Sequence, residues 1–333
     1  MPAPVVLAHL ALPLAVLPLQ VHLLLLLLAA GPQVKALITG AGGFVGGYLT
    51  THLEEQGDEV VGLDQDVDIT DLDAIRAAIV GAAPEAVYHL AAASNVGSSW
   101  AAPVEVLRVN AEGTLNVLLA CEAAGVDRVL AIGSAEEYGK VDPADLPLNE
   151  SAPLRPVTPY GASKVASGFL ALQAFLGRGL GVVRVRPFNH LGPSQSGRFV
   201  ASALAEQVAR NEHLGHDVVL AGDLSPRRDF TDVRDVVRAY RLLVTAGEPG
   251  EVYNVCSGVD VAISEVAEHL IGRADRPMRI ELDPERLRPV ELPVLRGDPS
   301  KLRAVTGWTP EIPLADTLDQ LLAWWRDRVA AGD

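Results

Sequence analysis

The chain has 333 residues, 49% of them apolar and 21% charged, with a formal net charge of −15 at pH 7. This composition is typical of an ordered globular protein, and the acidity argues against a nucleic-acid-binding surface, which needs clustered lysine and arginine. The two cysteines, Cys121 and Cys256, are too few for a disulfide framework and lack metal-ligand spacing. No metal site is expected, and Cys121 is predicted to be a buried thiol.

The first 33 residues are mainly apolar, and no lysine or arginine precedes Lys35. Three interpretations stay open: upstream sequence translated from a start codon placed too early, a membrane anchor, or a signal peptide. Pro13 and Pro18 interrupt the run without forbidding a membrane span, and the positive n-region of a signal peptide is missing. Any membrane association is expected only through residues 1–33, and the protein is predicted to be cytoplasmic.

From Val34 onward, short apolar strands alternate with helical stretches. The predicted strands include VKALIT, EVVGLD, PEAVYHLAA, RVLAIGS and GVVRVRPFN, and their separation by helices predicts right-handed βαβ units. The expected fold class is therefore α/β, a Rossmann-type doubly wound parallel sheet with a smaller C-terminal α/β substrate domain. The predicted dinucleotide-binding domain is 34–186 and the mainly substrate-binding domain is 187–333, with a strand near 251–256 returning to the sheet.

The first strand and helix are joined by TGAGGFVGG, which holds Gly40, Gly43 and Gly46 at the spacing of a dinucleotide-binding turn. The missing side chains let a pyrophosphate approach the backbone at the positive end of the helix. Asp64 ends the second strand about 20 residues further on, where a carboxylate binds the adenosine ribose and repels a 2′-phosphate. The predicted cofactor is NAD or NADP, with NAD favoured by Asp64.

Tyr160 and Lys164 form a Y-x-x-x-K pair near the start of a predicted helix, and this spacing places both side chains on one face. A nearby ammonium lowers the pKa of a phenol, so the tyrosine is expected to exchange a proton with a substrate oxygen near neutral pH. Ser134 ends the preceding strand, where its hydroxyl can bond the same oxygen. His89 is expected to be a structural side chain of a buried strand, whereas His190 fits a turn and a substrate contact equally well.

The glycine turn, the strand-end serine and the Y-x-x-x-K pair occur in the order typical of extended short-chain dehydrogenase/reductases. From Val34 to near its end the chain resembles this superfamily, in particular its NAD-dependent epimerase/dehydratase family. The resemblance implies that Ser134, Tyr160 and Lys164 are catalytic. It also implies that Lys164 binds the nicotinamide ribose and that Asn110 supports the hydrogen bonds of the site. The implied cofactor contacts are Gly40, Gly43, Phe44, Val45, Gly46, Asp64, Asp68, Ile69, Leu90, Ala91, Ala92, Asn110, Tyr160, Lys164 and Pro187.

The segments RPFNHLGPSQ, RDFTDVRDVVRAY, EVYNVCSG and RPVELP resemble nucleotide-sugar members of the family, and more closely GDP-4-dehydro-6-deoxy-D-mannose reductases. The resemblance implies that Asn189 holds the sugar diphosphate and that Arg228 contacts a phosphate or the ribose. Arg288 and Glu291 would clasp the nucleotide end. The implied substrate contacts are Ser94, Ser134, Glu136, Asn189, Phe199, Val200, Arg228, Arg288 and Glu291. The expected partners are a GDP-sugar substrate and a second copy of the chain in a homodimer, and no nucleic acid.

The arginines of the RDFTDVRD segment also allow a purely structural interpretation. Arg227, Arg228 and Arg234 would then form surface ion pairs. Their partners would be Asp229 and Asp232. Such pairs are common on exposed helices and strands and add little stability. Both interpretations of Arg228 stay open at the level of the sequence.

The loop after the fourth strand separates the reactions of this family. Related 4,6-dehydratases carry Thr, then Asp or Ser, then Glu here, because elimination of water needs an acid and a base. This chain has Ser134, Ala135 and Glu136, and alanine has no proton to give. The predicted reaction is NAD(P)H-dependent reduction of the 4-keto group of GDP-4-dehydro-6-deoxy-D-mannose to GDP-6-deoxymannose (GDP-rhamnose). A nucleotide-sugar 4-epimerase, a 4,6-dehydratase and a non-catalytic dinucleotide-binding sensor stay open as alternatives, and hydride attack on the opposite face would give the talose epimer.

Overall fold

The computed structural model of the protein describes residues 33–287, 290 and 292–332. The interpretations of the apolar segment 1–33 fall outside these ranges except at Gln33. The substrate contacts expected of Arg288 and Glu291 also lie outside them. Among the described helices, none is both long and apolar enough to cross a membrane.

A parallel sheet forms the centre of the molecule. The described strands are β1 Lys35–Thr39, β2 Glu59–Leu63, β3 Ala86–His89, β4 Arg128–Ile132, β5 Val182–Pro187, β6 Asn189–Leu191, β7 Val218–Ala221, β8 Arg227–Asp232, β9 Val252–Val255, β10 Asp260–Ala262, β11 Arg279–Leu282 and β12 Val294–Leu295. Within the described residues the central sheet has six strands in the order β2-β1-β3-β4-β5-β9. Each adjacent pair is parallel, so the expected α/β fold with a doubly wound parallel sheet is confirmed.

At the start of some helices, local side chains satisfy the free backbone amides. Asp71 accepts hydrogen bonds from the Asp73 and Ala74 amides at the start of α2, and Thr158 accepts one from the Gly161 amide at the start of α5. The described α-helices are α1 Phe44–Glu55, α2 Leu72–Ala82, α3 Pro103–Leu107, α4 Gly113–Ala124, α5 Pro159–Arg178, α6 Val200–Leu214, α7 Val233–Ala246, α8 Ile263–Gly272, α9 Ser300–Thr306 and α10 Leu314–Ala330. A π-helical turn, Arg108–Glu112, joins α3 to α4.

Helices cover both faces of the central sheet. On one face α1 and α7 pack on the strands through Leu49 and Tyr240. On the other face α2, α4 and α5 pack through Ile75, Val117 and Ala171. Burial on two sides explains why β1, β3 and β4 have continuous apolar sequences rather than alternating ones.

After β5 the chain builds a smaller unit before and after returning to the sheet. Strand β8 lies between β10 and β12 and also pairs with β6, while β7 pairs with β11. Helices α6, α8 and α10 share a separate apolar cluster through Leu204, Val266 and Leu321. Between these elements α7 packs on the central sheet and β9 pairs with β5. A division of the chain at residue 186 stays a prediction.

Candidate active site

The glycine turn after β1 lines a cleft at the carboxyl ends of the central strands. Gly40 has φ +75°, and a Cβ there would lie 2.9 Å from the Ala91 amide nitrogen. A Cβ at Gly46 would lie 2.2 Å from the Gly40 carbonyl oxygen, so α1 packs on the turn more closely than any side chain allows. The N-terminus of α1 lines the cleft from Gly43 onward. This side-chain-free cradle at a helix N-terminus fits a dinucleotide pyrophosphate.

Asp64 follows β2 and lies beside the glycine turn. A Cβ added at Gly42 would be 2.0 Å from the Asp64 Oδ2 atom. The segment from residue 64 to residue 71 contains no lysine or arginine. Asp68 in this segment accepts hydrogen bonds from the Thr70 amide and hydroxyl, both at 2.8 Å. These acidic surroundings suit a ribose with a free 2′-hydroxyl and oppose a 2′-phosphate.

Ser134, Tyr160 and Lys164 come together in the same cleft. Ser134 follows β4, and the other two lie in the first turns of α5, all three being less than one tenth exposed. The Ser134 hydroxyl lies close enough to the Tyr160 phenol to act on its pKa. The Lys164 Nζ atom donates to the Ile132 carbonyl oxygen at 2.8 Å. A hydroxyl, a phenol and an amine are therefore available to one bound oxygen.

Burial controls the protonation of the two titratable members. Desolvation raises the pKa of Tyr160 well above its usual range, and the nearby Ser134 hydroxyl opposes this only partly. Desolvation also lowers the pKa of Lys164 to about 8, against the opposing charge of Glu137. The expected lowering of the Tyr160 pKa is wrong for this structure, because loss of solvent outweighs any effect of the amine. A phenol in this state is protonated at neutral pH and can act as an acid.

Asn110 lies in the π-helical turn, in the wall behind the cleft. Its Oδ1 atom accepts from the Ala93 amide at 2.8 Å, and its Nδ2 atom donates to the Ser163 Oγ atom at 2.9 Å. Its carbonyl oxygen accepts from the hydroxyls of Thr114 and Ser167. Asn110 therefore links the segment after β3 to the helix that carries Tyr160, and it is placed to support the site.

The cleft has a volume of about 1270 Å³ and is lined by most of the residues expected at the site. The cofactor candidates in its lining are Gly40, Gly43, Phe44, Val45, Gly46, Asp64, Asp68, Ile69, Leu90, Ala91, Ala92, Tyr160, Lys164 and Pro187. The substrate candidates in its lining are Ser94, Ser134, Glu136, Asn189, Phe199, Val200 and Arg228. Sequence reasoning missed Gln195, Arg198 and Arg286, which also line it. Arg198 and Arg286 could have been found from the sequence, because they lie beside the expected substrate contacts Phe199 and Arg288.

The two histidines considered from the sequence lie in different surroundings. His89 is buried between the hydroxyls of Thr39 and Thr114, at 2.8 and 3.0 Å, and burial lowers its pKa to about 3, so its structural interpretation is confirmed. His190 lines the cleft, and its ring stacks on Phe44 with centroids 6.3 Å apart. Because His190 lines the cleft and stacks on a candidate cofactor contact, a ligand contact by His190 stays a prediction.

Arg228 does not lie at the surface. It is 5% exposed, lines the cleft, and its Nη1 atom donates to the carbonyl oxygens of Arg227 and Leu292. The surface ion-pair interpretation instead fits its neighbours. Arg234 pairs with Asp232 at 2.7 Å, and Arg227 pairs with Asp260. Asp229, the other expected partner, accepts hydrogen bonds from Ser257 and the amides of Gly258 and Gly297.

Comparison with known proteins identifies the family. A family model described as the NAD dependent epimerase/dehydratase family matches residues 36–256, from β1 to just beyond β9, with the glycine turn and the tyrosine–lysine pair inside the match. The chain belongs to this family. Its expected membership is thereby confirmed.

The chain matches similar proteins over nearly the whole length of those proteins. A GDP-6-deoxy-D-mannose reductase from Pseudomonas aeruginosa is 37% identical over 299 residues, covering 89% of this chain and 98% of the relative. A UDP-glucose 4-epimerase from Mycolicibacterium smegmatis is 31% identical over 322 residues, covering 89% and 99%. The solved structure of RMD from Pseudomonas aeruginosa complexed with NADPH is 36% identical, with a TM-score of 0.82 over 89% of this chain and 98% of that one.

The loop after β4 carries the feature that separates the reactions of the epimerase/dehydratase family. Ala135 is 3% exposed and packs in an apolar cluster with Tyr138, Leu148 and Phe188, while also lining the cleft. Glu136, the next residue, lines the cleft as well. The loop therefore presents one hydroxyl and one carboxylate to a ligand, with an apolar side chain between them.

Proposed function

We propose that the protein reduces the 4-keto group of GDP-4-dehydro-6-deoxy-D-mannose to GDP-6-deoxymannose (GDP-rhamnose), with NADH or NADPH as the reductant. The observation that carries this is the loop after β4, where Ser134 lines the cleft with Tyr160 and the next residue, Ala135, is buried and apolar. Ketone reduction needs one proton donor beside the carbonyl, whereas elimination needs an acid and a base. The name of the Pseudomonas aeruginosa relative supports the same substrate.

Each catalytic side chain has a separate role in the proposed reduction. When bound, the reduced cofactor would supply the hydride. The glycine turn and the N-terminus of α1 would hold the pyrophosphate of this cofactor. Tyr160 donates the proton to the carbonyl oxygen, since its phenol is protonated at neutral pH. Ser134 donates a hydrogen bond to the same oxygen, and the Lys164 ammonium stabilises the negative charge that develops there. This ammonium persists below a pH of about 8.

The nucleotide end of the substrate provides binding energy that orients the reacting carbon. Arg228 is the proposed phosphate or ribose contact, because a guanidinium has the forked donors that suit phosphate and this one lines the cleft. Asn189 is the proposed contact to the sugar diphosphate. The roles proposed for Arg288 and Glu291 rest on the resemblance of the RPVE segment alone.

A nucleotide-sugar 4-epimerase is the second candidate function. It is favoured by two UDP-glucose 4-epimerase relatives, which match over 89% and 83% of the chain. An epimerase would use the same serine, tyrosine and lysine but would retain NAD tightly through a full cycle. Purified protein that carries bound NAD and interconverts nucleotide sugars without added reductant would support this alternative.

A homodimer is proposed from the face of α5 and the segment before α4. Phe169 and Leu176 lie two turns apart on α5 and are 58% and 72% exposed, and Val104 on α3 is 79% exposed. Large apolar side chains grouped on one helical face are typical of an interface with another chain. A cytoplasmic location stays a prediction from the sequence.

The test generates the 4-keto-6-deoxy sugar in place from GDP-mannose with a separate dehydratase, then adds this protein with NADH or NADPH. Loss of reduced cofactor is followed by absorbance, with GDP-mannose alone as the control. Consumption only when the keto sugar is present, and its loss in Tyr160→Phe, would establish the reductase. No consumption with either cofactor would refute the assignment and favour epimerase assays. The stereochemistry of the isolated product distinguishes the rhamnose from the talose epimer.

A further inference from the structure

A buried charge pair lies directly behind the catalytic loop. The Arg186 Nε atom donates to the Glu137 Oε2 atom at 2.7 Å, and the two side chains are 7% and 3% exposed. Such a pair adds little net stability, since the cost of desolvating both ions offsets their attraction, and apolar replacement of similar volume is often neutral or stabilising. Stability of the fold alone therefore does not account for the pair.

The second oxygen of the Glu137 carboxylate holds the backbone of the catalytic serine. Its Oε1 atom accepts a hydrogen bond from the Ser134 amide at 2.9 Å, while the Ser134 Oγ atom accepts one from the Glu136 amide at 3.1 Å. Gly133 makes room for this arrangement, since a Cβ there would lie 2.2 Å from the same carboxylate oxygen. Glu137 therefore fixes the short turn from which the Ser134 hydroxyl projects.

Arg186 connects this turn to the central sheet. The residue belongs to β5, and its Nη1 atom donates to the Tyr138 hydroxyl and the Glu150 carbonyl oxygen, both at 3.2 Å. The Tyr138 hydroxyl in turn donates to the Oδ1 atom of Asn254 in β9 at 2.7 Å. The position of the turn is therefore set by two neighbouring strands of the sheet rather than by the loop itself.

The charge of Glu137 also acts on the catalytic helix. It raises the pKa of Lys164 against the lowering by burial. Burial raises the pKa of Glu137 itself, and the Arg186 guanidinium opposes that rise and favours the carboxylate. The titratable and charged groups around this carboxylate are His89 on β3, Tyr160 and Lys164 on α5, Arg184 and Arg186 on β5, and Glu136 and Tyr138 in its own loop.

We propose that Glu137 and Arg186 are positioning residues of the reductase. The pair fixes the Ser134 backbone so that this hydroxyl and the Tyr160 phenol meet the same substrate oxygen. It also maintains a negative charge that holds Lys164 in its ammonium form. This inference rests on the proposed function for its turnover assay, but binding of reduced cofactor tests it separately.

Two variants and one control separate positioning from folding. Glu137→Gln removes the charge with little change of shape, and the double variant Glu137→Leu, Arg186→Met replaces the pair with apolar side chains. The control is Asp58→Asn, which removes a carboxylate from a comparable buried pair. Asp58 and Arg241 are joined at 2.8 Å, with side chains 2% and 11% exposed, and neither lines the cleft. For each protein we would measure thermal unfolding, kcat, KM, and NADH affinity by fluorescence, the last three across pH.

In Glu137→Gln we expect kcat to fall at least about tenfold with KM for NADH within about twofold, because the single amide oxygen cannot accept from both the Ser134 amide and the Arg186 guanidinium and the serine turn shifts. The alkaline limb of kcat and of NADH binding should move down by about one pH unit, since Lys164 loses a favourable charge. The double variant should unfold like the wild type without recovering kcat. The control should lose stability but keep kcat and the alkaline limb.

Wild-type kcat and an unmoved alkaline limb in either variant would overturn the inference. So would failure of both variants to fold, because the pair would then belong to the fold alone. Absence of turnover in the wild type would refute the proposed substrate instead. In that case the pH dependence of NADH binding by the variants still decides whether the pair acts on Lys164.

Discussion

Replacing Gly46 with alanine is expected to damage cofactor binding through a single methyl group. The new carbon would lie 2.2 Å from the Gly40 carbonyl oxygen and 2.6 Å from that of Ala41. Ordinary contact is roughly 3.5 Å, so either α1 or the turn must move by about 1 Å. Overpacking of this kind costs roughly 1–3 kcal/mol of folding free energy. The same displacement at the pyrophosphate cradle should raise the Kd for NADH at least about tenfold.

Gly47→Ala is the matched control, one residue along the same helix. Among the described residues, and apart from its chain neighbours and the backbone of its own helix, no atom lies within 4 Å of a Cβ placed at Gly47. Alanine there should stabilise the helix by about 0.5–1 kcal/mol and leave the Kd unchanged. Both Kd values can be measured by fluorescence titration and both stabilities by thermal unfolding. Wild-type NADH affinity in Gly46→Ala, or equal loss in both variants, would refute the close-packing argument.

Four further outcomes follow from the site and the surface. Tyr160→Phe should lower kcat by at least about 10²-fold with NADH affinity retained, because only the proton donor is lost. The pH profile should fall as pH rises through about 8, since burial lowers the pKa of Lys164 to that value and the neutral amine loses its charge. NADH should be preferred to NADPH, and Asp64→Ala should reduce the preference, as kcat/KM with each cofactor would reveal. The double variant Phe169→Glu, Leu176→Glu should be a monomer by light scattering, and a mass equal to that of the wild-type dimer would contradict the proposed interface.

Local pattern was sufficient for the parts of the site that lie within one strand–turn–helix unit. The glycine turn and the Y-x-x-x-K pair are contiguous in sequence, so spacing alone places Gly40, Gly46, Tyr160 and Lys164 on the cleft wall. Their fold class followed from the same alternation of strands and helices. The direction of the Tyr160 pKa did not, because it depends on how much solvent the assembled cleft removes.

Contacts between distant segments were beyond the reach of sequence pattern. Arg228 stands in a run of charged residues that resembles a solvated surface, and only the packing of β8 between β10 and β12 buries it. Asn110 was expected both to support the hydrogen bonds of the site and to contact the cofactor. The π-helical turn joins it to Ala93 and Ser163, and the cofactor contact stays a prediction. Glu137 lies three residues after Ser134 in the same loop, yet its partner Arg186 is 49 residues away on β5.

The apolar packing of Ala135 limits the evolutionary paths open to this protein. An aspartate at that position would place a carboxylate among Tyr138, Leu148 and Phe188, where an unpaired charge is costly and the acid stays neutral. Recovering elimination chemistry would therefore require compensating changes in several segments before the new group became useful. The apolar packing around Ala135 therefore favours reduction over elimination, in addition to the catalytic residues themselves.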